Sequence, residues 1–143
     1  MKKLFALITI AMLFAAACTP AANATQTSPS ASPSAITVTL TDNKIDTSSK
    51  IAAAGTVTFN VTNKGAMEHE LVVLKTDLAD DKIPPDADEP GKVAEDGNVG
   101  ESGDLEAGTA KTFTITLPAG SYVLMCNEIG HYALGMHLAF TVK

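Results

Sequence analysis

The sequence predicts an all-β protein built as a two-layer sandwich. Apolar residues alternate with threonine or other polar residues in four separate stretches, which is the period of a half-buried antiparallel strand. Turn-forming residues separate these stretches, and no helical periodicity of comparable length occurs. Strands with threonine on one face and apolar side chains on the other favour two sheets packed on a common core. The apolar positions are Ile36, Val38 and Leu40; Val57, Phe59 and Val61; Phe113, Ile115 and Leu117; and Leu138, Phe140 and Val142.

The first 17 residues have the pattern of a bacterial signal peptide. Lys2 and Lys3 precede an uncharged apolar run that ends at Ala17 and is too short to cross a bilayer comfortably. The residues around Cys18 resemble the lipobox of bacterial lipoproteins, in which the cysteine is lipidated and becomes the mature N-terminus. The alternative is cleavage at the small residues 22–24, which would release a soluble protein. Both interpretations predict an extracytoplasmic protein, and the first anchors it by lipid to a bacterial membrane, facing the periplasm or the cell exterior.

Residues 18–35 are predicted to form a flexible linker that begins at the lipidated cysteine. From Thr19 to Ala35 the chain has no charge and no large apolar residue, so it cannot bury a core of its own. Such a linker has a reach of roughly 20–25 Å. The remaining residues, 36–143, are enough for one domain with a compact core.

The chain is acidic, with a formal net charge of −6, which excludes nucleic acid as an expected partner. Eleven acids and only two lysines lie between Asp77 and Glu106. This segment is either a solvated loop kept soluble by its charge or a surface that steers a basic partner. Because the connection from Lys75 to Ala110 is unusually long, we expect it to contain a short helix or an extra strand, or else to be mobile.

Residues 126–136 contain the ligands expected of a copper site. Cys126, His131 and Met136 offer a soft thiolate, an imidazole and a weak thioether, whereas structural zinc sites do not use thioether. A second imidazole would come from His69, far upstream. Cys126 would be the only thiol of the folded domain, and an unpaired cysteine in an exported protein suggests metal ligation. The alternative is that Cys126 serves as a small buried apolar residue.

Strand parity assigns these side chains to faces of the sandwich. Cys126 falls on the inward face of the strand that precedes it. Met136 shares a face with the inward residues of the last strand, so His137 points away and is rejected as a ligand. The run Leu71–Leu74 is apolar on both faces, which predicts a central strand with His69 at its start.

Three local matches carry a family resemblance. Gly120-Ser121-Tyr122 leads to Cys126, Gly135-Met136 leads to the last strand, and residues 67–70 surround the upstream histidine. These patterns resemble the cupredoxins, the type 1 copper family of plastocyanin, azurin and rusticyanin. The spacing Cys-x4-His-x4-Met is similar to that of rusticyanin, auracyanin and sulfocyanin. Many relatives carry asparagine directly after the first histidine, where its side chain ties the two ligand loops together, but here that residue is Glu70.

The resemblance implies a fold, a cofactor and a set of ligands. The fold would be a Greek-key β-sandwich over residues 36–143. One type 1 copper ion would be held at one end by His69, Cys126, His131 and Met136. His131 would be the exposed ligand and the port for electrons, surrounded by Ile129, Ala133 and Leu134.

We expect a protein that carries single electrons between redox partners by Cu(I)/Cu(II) cycling. Its partners would be redox proteins such as a cytochrome or a terminal oxidase, and the protein itself would be a monomer held to the membrane by its N-terminal lipid. The alternative is a copper delivery or buffering protein for an exported oxidase or for copper tolerance, and a third possibility is a metal-free structural sandwich. An enzyme is not expected, because the sequence has no second histidine cluster and no evident pair of nucleophile and base.

Overall fold

The computed structural model describes residues 34–143, which form nine strands and no helix. No segment of this part of the chain is therefore a helix that could span a membrane. The signal peptide 1–17, the lipidation site Cys18 and nearly all of the linker lie outside the described residues. The strands are β1 (Ser34–Thr41), β2 (Lys44–Thr47), β3 (Ile51–Ala52), β4 (Gly55–Asn63), β5 (Val72–Lys75), β6 (Asn98–Glu101), β7 (Ala110–Leu117), β8 (Gly120–Met125) and β9 (His137–Val142).

The strands form two sheets that pack as a Greek-key β-sandwich. One sheet has the order β2-β1-β4-β7 and the other has the order β3-β9-β8-β5-β6. The first strand begins at Ser34, two residues before the predicted domain boundary, because Ser34 and Ala35 already pair with β4. It is antiparallel to β2, as expected, but runs parallel to β4. Alternation shows which face of a strand is buried and does not specify the direction of its neighbour.

The core lies between the two sheets and contains the inward residues that alternation predicts. Phe59 of β4 and Phe140 of β9 meet across the sandwich with ring centroids 5.8 Å apart. Phe113 and Ile115 of the edge strand β7 are only partly buried against this core. Each fully buried side chain of this size contributes about 1.5–3 kcal/mol to folding, so the sheets form a firm support for the loops at their ends.

A second apolar cluster covers the outer face of the sheet that contains β5 and β8. Val72, Leu74, Val123 and Met125 point outward and are buried beneath residues of the connection 76–97 and of the loop after β8. This explains why the run Leu71–Leu74 is apolar on both faces, and β5 lies between β8 and β6 as the central position predicted for it. The expected extra strand within the long acidic connection is β6. The residues that cover the face are Ile83, Val93 and Tyr132.

Candidate metal centre

Three predicted ligands meet at one end of the sandwich, in a buried position. The Nδ1 atoms of His69 and His131 lie 3.1 Å apart, and the sulfur of Cys126 lies 3.8 Å from the first and 3.4 Å from the second. His69 and Cys126 are fully buried. His69 is 57 positions from Cys126 in the chain, yet the fold brings its donor atom close to those of Cys126 and His131.

This donor set fits a single metal ion. Nitrogen and sulfur ligands bind an ion of this size at about 2.0–2.3 Å, so three such donors arranged at 120° stand roughly 3.5–3.7 Å apart. The observed separations of 3.1, 3.4 and 3.8 Å are close to these values. One thiolate with two imidazoles is the equatorial set of a type 1 copper site.

His69 is oriented by Asp42, which lies in the turn between β1 and β2. Its Nε2 atom is 3.2 Å from a carboxylate oxygen of Asp42, which also accepts hydrogen bonds from the backbone of Ala66 and Met67. Desolvation raises the pKa of Asp42, but these bonds outweigh it and the pKa is lowered, so the carboxylate stays ionised. Because an ionised carboxylate can only accept, Nε2 carries the proton, and the lone pair of Nδ1 would be available to a metal ion.

Gly65 makes this contact possible. A Cβ atom at this position would collide with the Asp42 carboxylate and lie 2.7 Å from Nε2 of His69. The loop is also held by the buried side chain of Asn63, whose amide donates to the carbonyl oxygens of Met67 and Leu105 and accepts from the nitrogen of Gly65. The loop that carries His69 is thus fixed before any metal binds.

The Cys126 thiol is buried and protonated in the absence of metal. Burial raises its pKa to about 11, against the hydrogen bonds from the backbone of Glu70 and Glu128, while the charges of the same two residues raise it further. The Glu70 nitrogen lies 3.4 Å from the sulfur. A copper ion held by Cys126 would take the thiolate form, and the Glu70 amide would then donate its hydrogen bond to a charged sulfur.

His131 belongs to the same loop and reaches the surface only at its edge. Its side chain is 9% exposed, and burial, followed by the charge of His69, lowers its pKa. The expectation of an exposed ligand does not agree with the structure, in which His131 is one of the buried polar residues. Ile129 is 70% exposed and Leu134 is 61% exposed, and Ala133 is exposed as well. These three exposed apolar side chains lie within three residues of His131 in the chain.

Met136 is fully buried in the same core cluster as Cys126. Its carbonyl accepts a hydrogen bond from the nitrogen of Cys126 at 3.0 Å, and its nitrogen donates to the carbonyl of His131 at 3.1 Å. His137 points to the opposite face, where its ring packs against that of Tyr132 in a tilted arrangement and pairs with Asp80 at 3.0 Å. The predicted division between Met136 on the inward face and His137 on the outward face is the one observed.

Acidic side chains collect beside the metal centre. Carboxylate oxygens of Glu68, Asp104 and Glu128 lie within 4.8 Å of one another, and none of the three side chains is buried. Glu70 is largely buried, and burial, followed by the charge of Glu95 and of other acids including Glu128, raises its pKa to about 7. The Glu70 side chain makes no hydrogen bond to the ligand loop within residues 34–143.

A different tie, between the loop after β8 and the connection 76–97, is made by Asn127. This buried side chain bonds both backbone groups of Val93 at 2.9 Å. Sequence reasoning missed Asp42, Asn63 and Asn127, because isolated polar residues in loops have no periodic signal. The only available indication was the turn chemistry of Asp42-Asn43 and of Asn63-Lys64-Gly65.

The fold and the donor set define a cupredoxin, a protein built around one type 1 copper ion. The family model of the sulfocyanin (SoxE) domain matches residues 27–143. The chain therefore belongs to the sulfocyanin (SoxE) domain family. No curated protein sequence matches it.

Solved cupredoxin structures have the same fold. Auracyanin from Roseiflexus castenholzii is 25% identical, with 78% of this chain and 98% of that chain covered and a TM-score of 0.61. Auracyanin A, a blue copper protein from Chloroflexus aurantiacus, is 22% identical over 78% of this chain and all of that chain, with a TM-score of 0.57. Rusticyanin from Thiobacillus ferrooxidans is 21% identical over 78% and 79% of the two chains, with a TM-score of 0.59.

Proposed function

We propose that this protein is an exported, membrane-tethered type 1 copper protein that carries single electrons between redox partners. The observation that carries this proposal is the buried convergence of two imidazole nitrogens and one thiol sulfur within 3.8 Å of one another. When bound, copper supplies a one-electron couple between Cu(I) and Cu(II). His69, Cys126, His131 and Met136 would hold it, with the thioether as the weak axial contact.

The residues around the donors support a carrier of electrons. Asp42 and Asn63 hold the His69 loop, and the backbone bonds between Cys126 and Met136 hold the other loop, so the same geometry can serve both oxidation states. Water is largely excluded from the donors, because His69 and Cys126 are fully buried. We therefore propose a carrier rather than an enzyme.

The surface at this end of the molecule supports brief docking of a redox protein such as a cytochrome or a terminal oxidase. Exposed Ile129, Ala133 and Leu134 form a small apolar contact over His131, which would be the port for electrons. The neighbouring carboxylates of Glu68, Asp104 and Glu128 would steer a basic partner toward it. Association with such partners requires no oligomer, and we propose a monomer.

The proposed membrane attachment depends on the sequence of the N-terminal region. Residues 1–17 read as a signal peptide, Cys18 as the lipidated residue and residues 18–35 as the linker. We expect the mature protein to partition into detergent and to carry lipid on Cys18. A mature soluble chain that begins at Thr25 would contradict this part of the proposal.

The visible spectrum of the oxidised, copper-loaded protein tests the central claim. We expect an intense blue thiolate-to-copper band that is lost in Cys126→Ser, while the circular dichroism of the metal-free variant stays that of a β-sandwich. An equally intense band in Cys126→Ser would contradict the ligand assignment. Fast electron self-exchange would support a carrier, whereas slow exchange with ready loss of copper to an acceptor protein would favour the delivery role instead.

A further inference from the structure

The ligand loop, residues 126–136, is joined to the acidic connection 76–97 through Asn127. The Asn127 side chain is 2% exposed. Its oxygen accepts from the Val93 nitrogen at 2.9 Å, its nitrogen donates to the Val93 oxygen at 2.9 Å, and the same nitrogen donates to a carboxylate oxygen of Glu95 at 2.8 Å. The first two bonds pair the side chain with the backbone as a neighbouring strand would.

Further contacts follow along the same two segments. The Gly130 nitrogen donates to the Gly91 carbonyl at 2.8 Å. The Tyr132 hydroxyl donates to the Asp80 carbonyl at 2.7 Å and accepts from the Ile83 nitrogen at 2.9 Å. The ligand loop is therefore attached to the connection at its beginning, its middle and its second half.

Gly91 permits a close approach between the two segments. Its φ is +93°, and a Cβ atom added there would lie 2.8 Å from Cγ2 of Ile129. Any other residue at this position would be strained in its own backbone and would push against the ligand loop. The apolar side chains of Ile83, Val93 and Tyr132 complete the contact as part of one buried cluster.

Asn127 is the residue of this contact that lies next to Cys126 in the chain. Its side chain is held by three hydrogen bonds, and this restricts the backbone directly after β8, where Cys126 carries the sulfur. The buried amide has no alternative partner in water, and its loss would leave both backbone groups of Val93 unpaired in the interior.

We propose that the connection 76–97 acts as a brace for the ligand loop, and that Asn127 is the positioning residue through which the brace acts. The brace holds Cys126 and the loop that follows it in the binding arrangement before copper arrives. The value of this arrangement for electron transfer rests on the proposed function, but the bracing itself is a property of the metal-free chain. The acidic connection is then a structural part of the metal centre as well as a charged surface.

The test is made on the full chain without copper. In Asn127→Ala, we expect amide hydrogen exchange of the ligand loop and alkylation of Cys126 by iodoacetamide to be about tenfold faster than in the unmodified protein, while amides of β1 and β4 exchange at unchanged rates. Mass spectrometry of the digested protein measures alkylation of Cys126 separately from that of Cys18. Asn98→Ala is the matched control, because Asn98 also makes three hydrogen bonds, one of them to Glu95, but does not contact the ligand loop.

Two milder variants keep the proposal testable if Asn127→Ala does not fold. Glu95→Ala removes one of the three bonds, and Gly91→Ala strains the brace from the other side. Both variants should increase amide exchange of the ligand loop and alkylation of Cys126, as Asn127→Ala does. In the copper-loaded protein, both should change the copper hyperfine splitting in electron paramagnetic resonance. The proposal is overturned if the variants match Asn98→Ala, or if loop exchange rises only in step with exchange of the whole sandwich.

Discussion

The Nε2 atom of His69 lies 3.2 Å from Oδ1 of Asp42, across 27 residues of chain. This contact sets the tautomer of a buried imidazole and thereby decides which of its nitrogens faces the other donors. Asp42→Ala should weaken copper binding by about 10–100-fold, the usual effect of losing such an orienting carboxylate. Competition with a chelator of known affinity measures the change.

Asp46→Ala is the control for this prediction. Asp46 also lies on the β1–β2 hairpin and pairs with Lys44 at 2.7 Å. Both side chains of this pair are exposed, and Asp46 does not contact His69. Copper affinity should stay unchanged in this variant. Equal losses in both variants would mean that the hairpin as a whole, rather than the Asp42 carboxylate, determines the affinity.

Met136 should adjust the reduction potential without being needed to retain copper. Met136→Leu removes a weak donor that stabilises Cu(II) more than Cu(I), so the protein should remain blue and its potential should rise. Met136→Gln should lower the potential, because an amide oxygen favours the harder, oxidised ion. His137→Ala is the neighbouring control and should change the potential little, since His137 faces Tyr132 and Asp80. Cyclic voltammetry that shows the larger shift in His137→Ala would refute the axial assignment.

Glu70 should make the stability of the metal-free protein depend on pH. Its pKa of about 7 in the folded state lies above the ordinary value of 4.5, so the folded state binds this proton more tightly than the unfolded state does. Its stabilising contribution is therefore complete below about pH 4.5 and is lost as the pH rises through about 7. Glu70→Gln, which stays neutral, should be more stable than the unmodified protein at pH 8 by about 1–3 kcal/mol.

Urea unfolding of both proteins at pH 4.5 and pH 8 measures this difference. The two free energies of unfolding should be similar at the lower pH and should separate at the higher pH. Glu106→Gln changes an exposed acid and should show no such separation. If Glu70→Gln and Glu106→Gln behave alike, burial of the Glu70 carboxylate has no energetic consequence.

The carboxylates nearest the metal centre should contribute more to partner recognition than other exposed acids of this chain. Replacing Glu68, Asp104 and Glu128 together by lysine should slow electron transfer to a basic cytochrome severalfold at low salt, with the difference shrinking as ionic strength rises. The control triple variant replaces three other exposed acids by lysine, namely Asp77, Asp88 and Glu106. Stopped-flow measurements compare the unmodified protein with the two triple variants. Equal rates in all three at every salt concentration would mean that these acids serve solubility only.

The predicted faces of the strands agree with the structure because period-two alternation reports burial directly. The inward positions of Cys126 and Met136 and the outward position of His137 could all be read by counting residues from the apolar positions of β8 and β9. The short strands β2 and β3 were not predicted, since four and two residues are too few to show a period. Their existence depends on pairing with β1 and β9, which no local pattern records.

The residues that orient the metal centre were beyond prediction for a related reason. Asn127 and Val93 are 34 residues apart, and Asn63 and Leu105 are 42 apart. A polar residue in a loop is compatible with solvent exposure or with a buried hydrogen bond, and only the folded chain decides between them. The ligands could be found because their chemistry is rare, whereas the asparagines that hold them are of a common type.

The direction of β1 places the point where the N-terminal region joins the domain and the candidate metal centre at opposite ends of the sandwich. β1 starts at Ser34 and ends beside Asp42, which contacts His69. The seven steps from Ser34 to Thr41, at about 3.3 Å each, separate the two ends of β1 by roughly 23 Å. In a chain anchored upstream of Ser34, the proposed docking surface would therefore lie at the end of the sandwich opposite to the point of attachment.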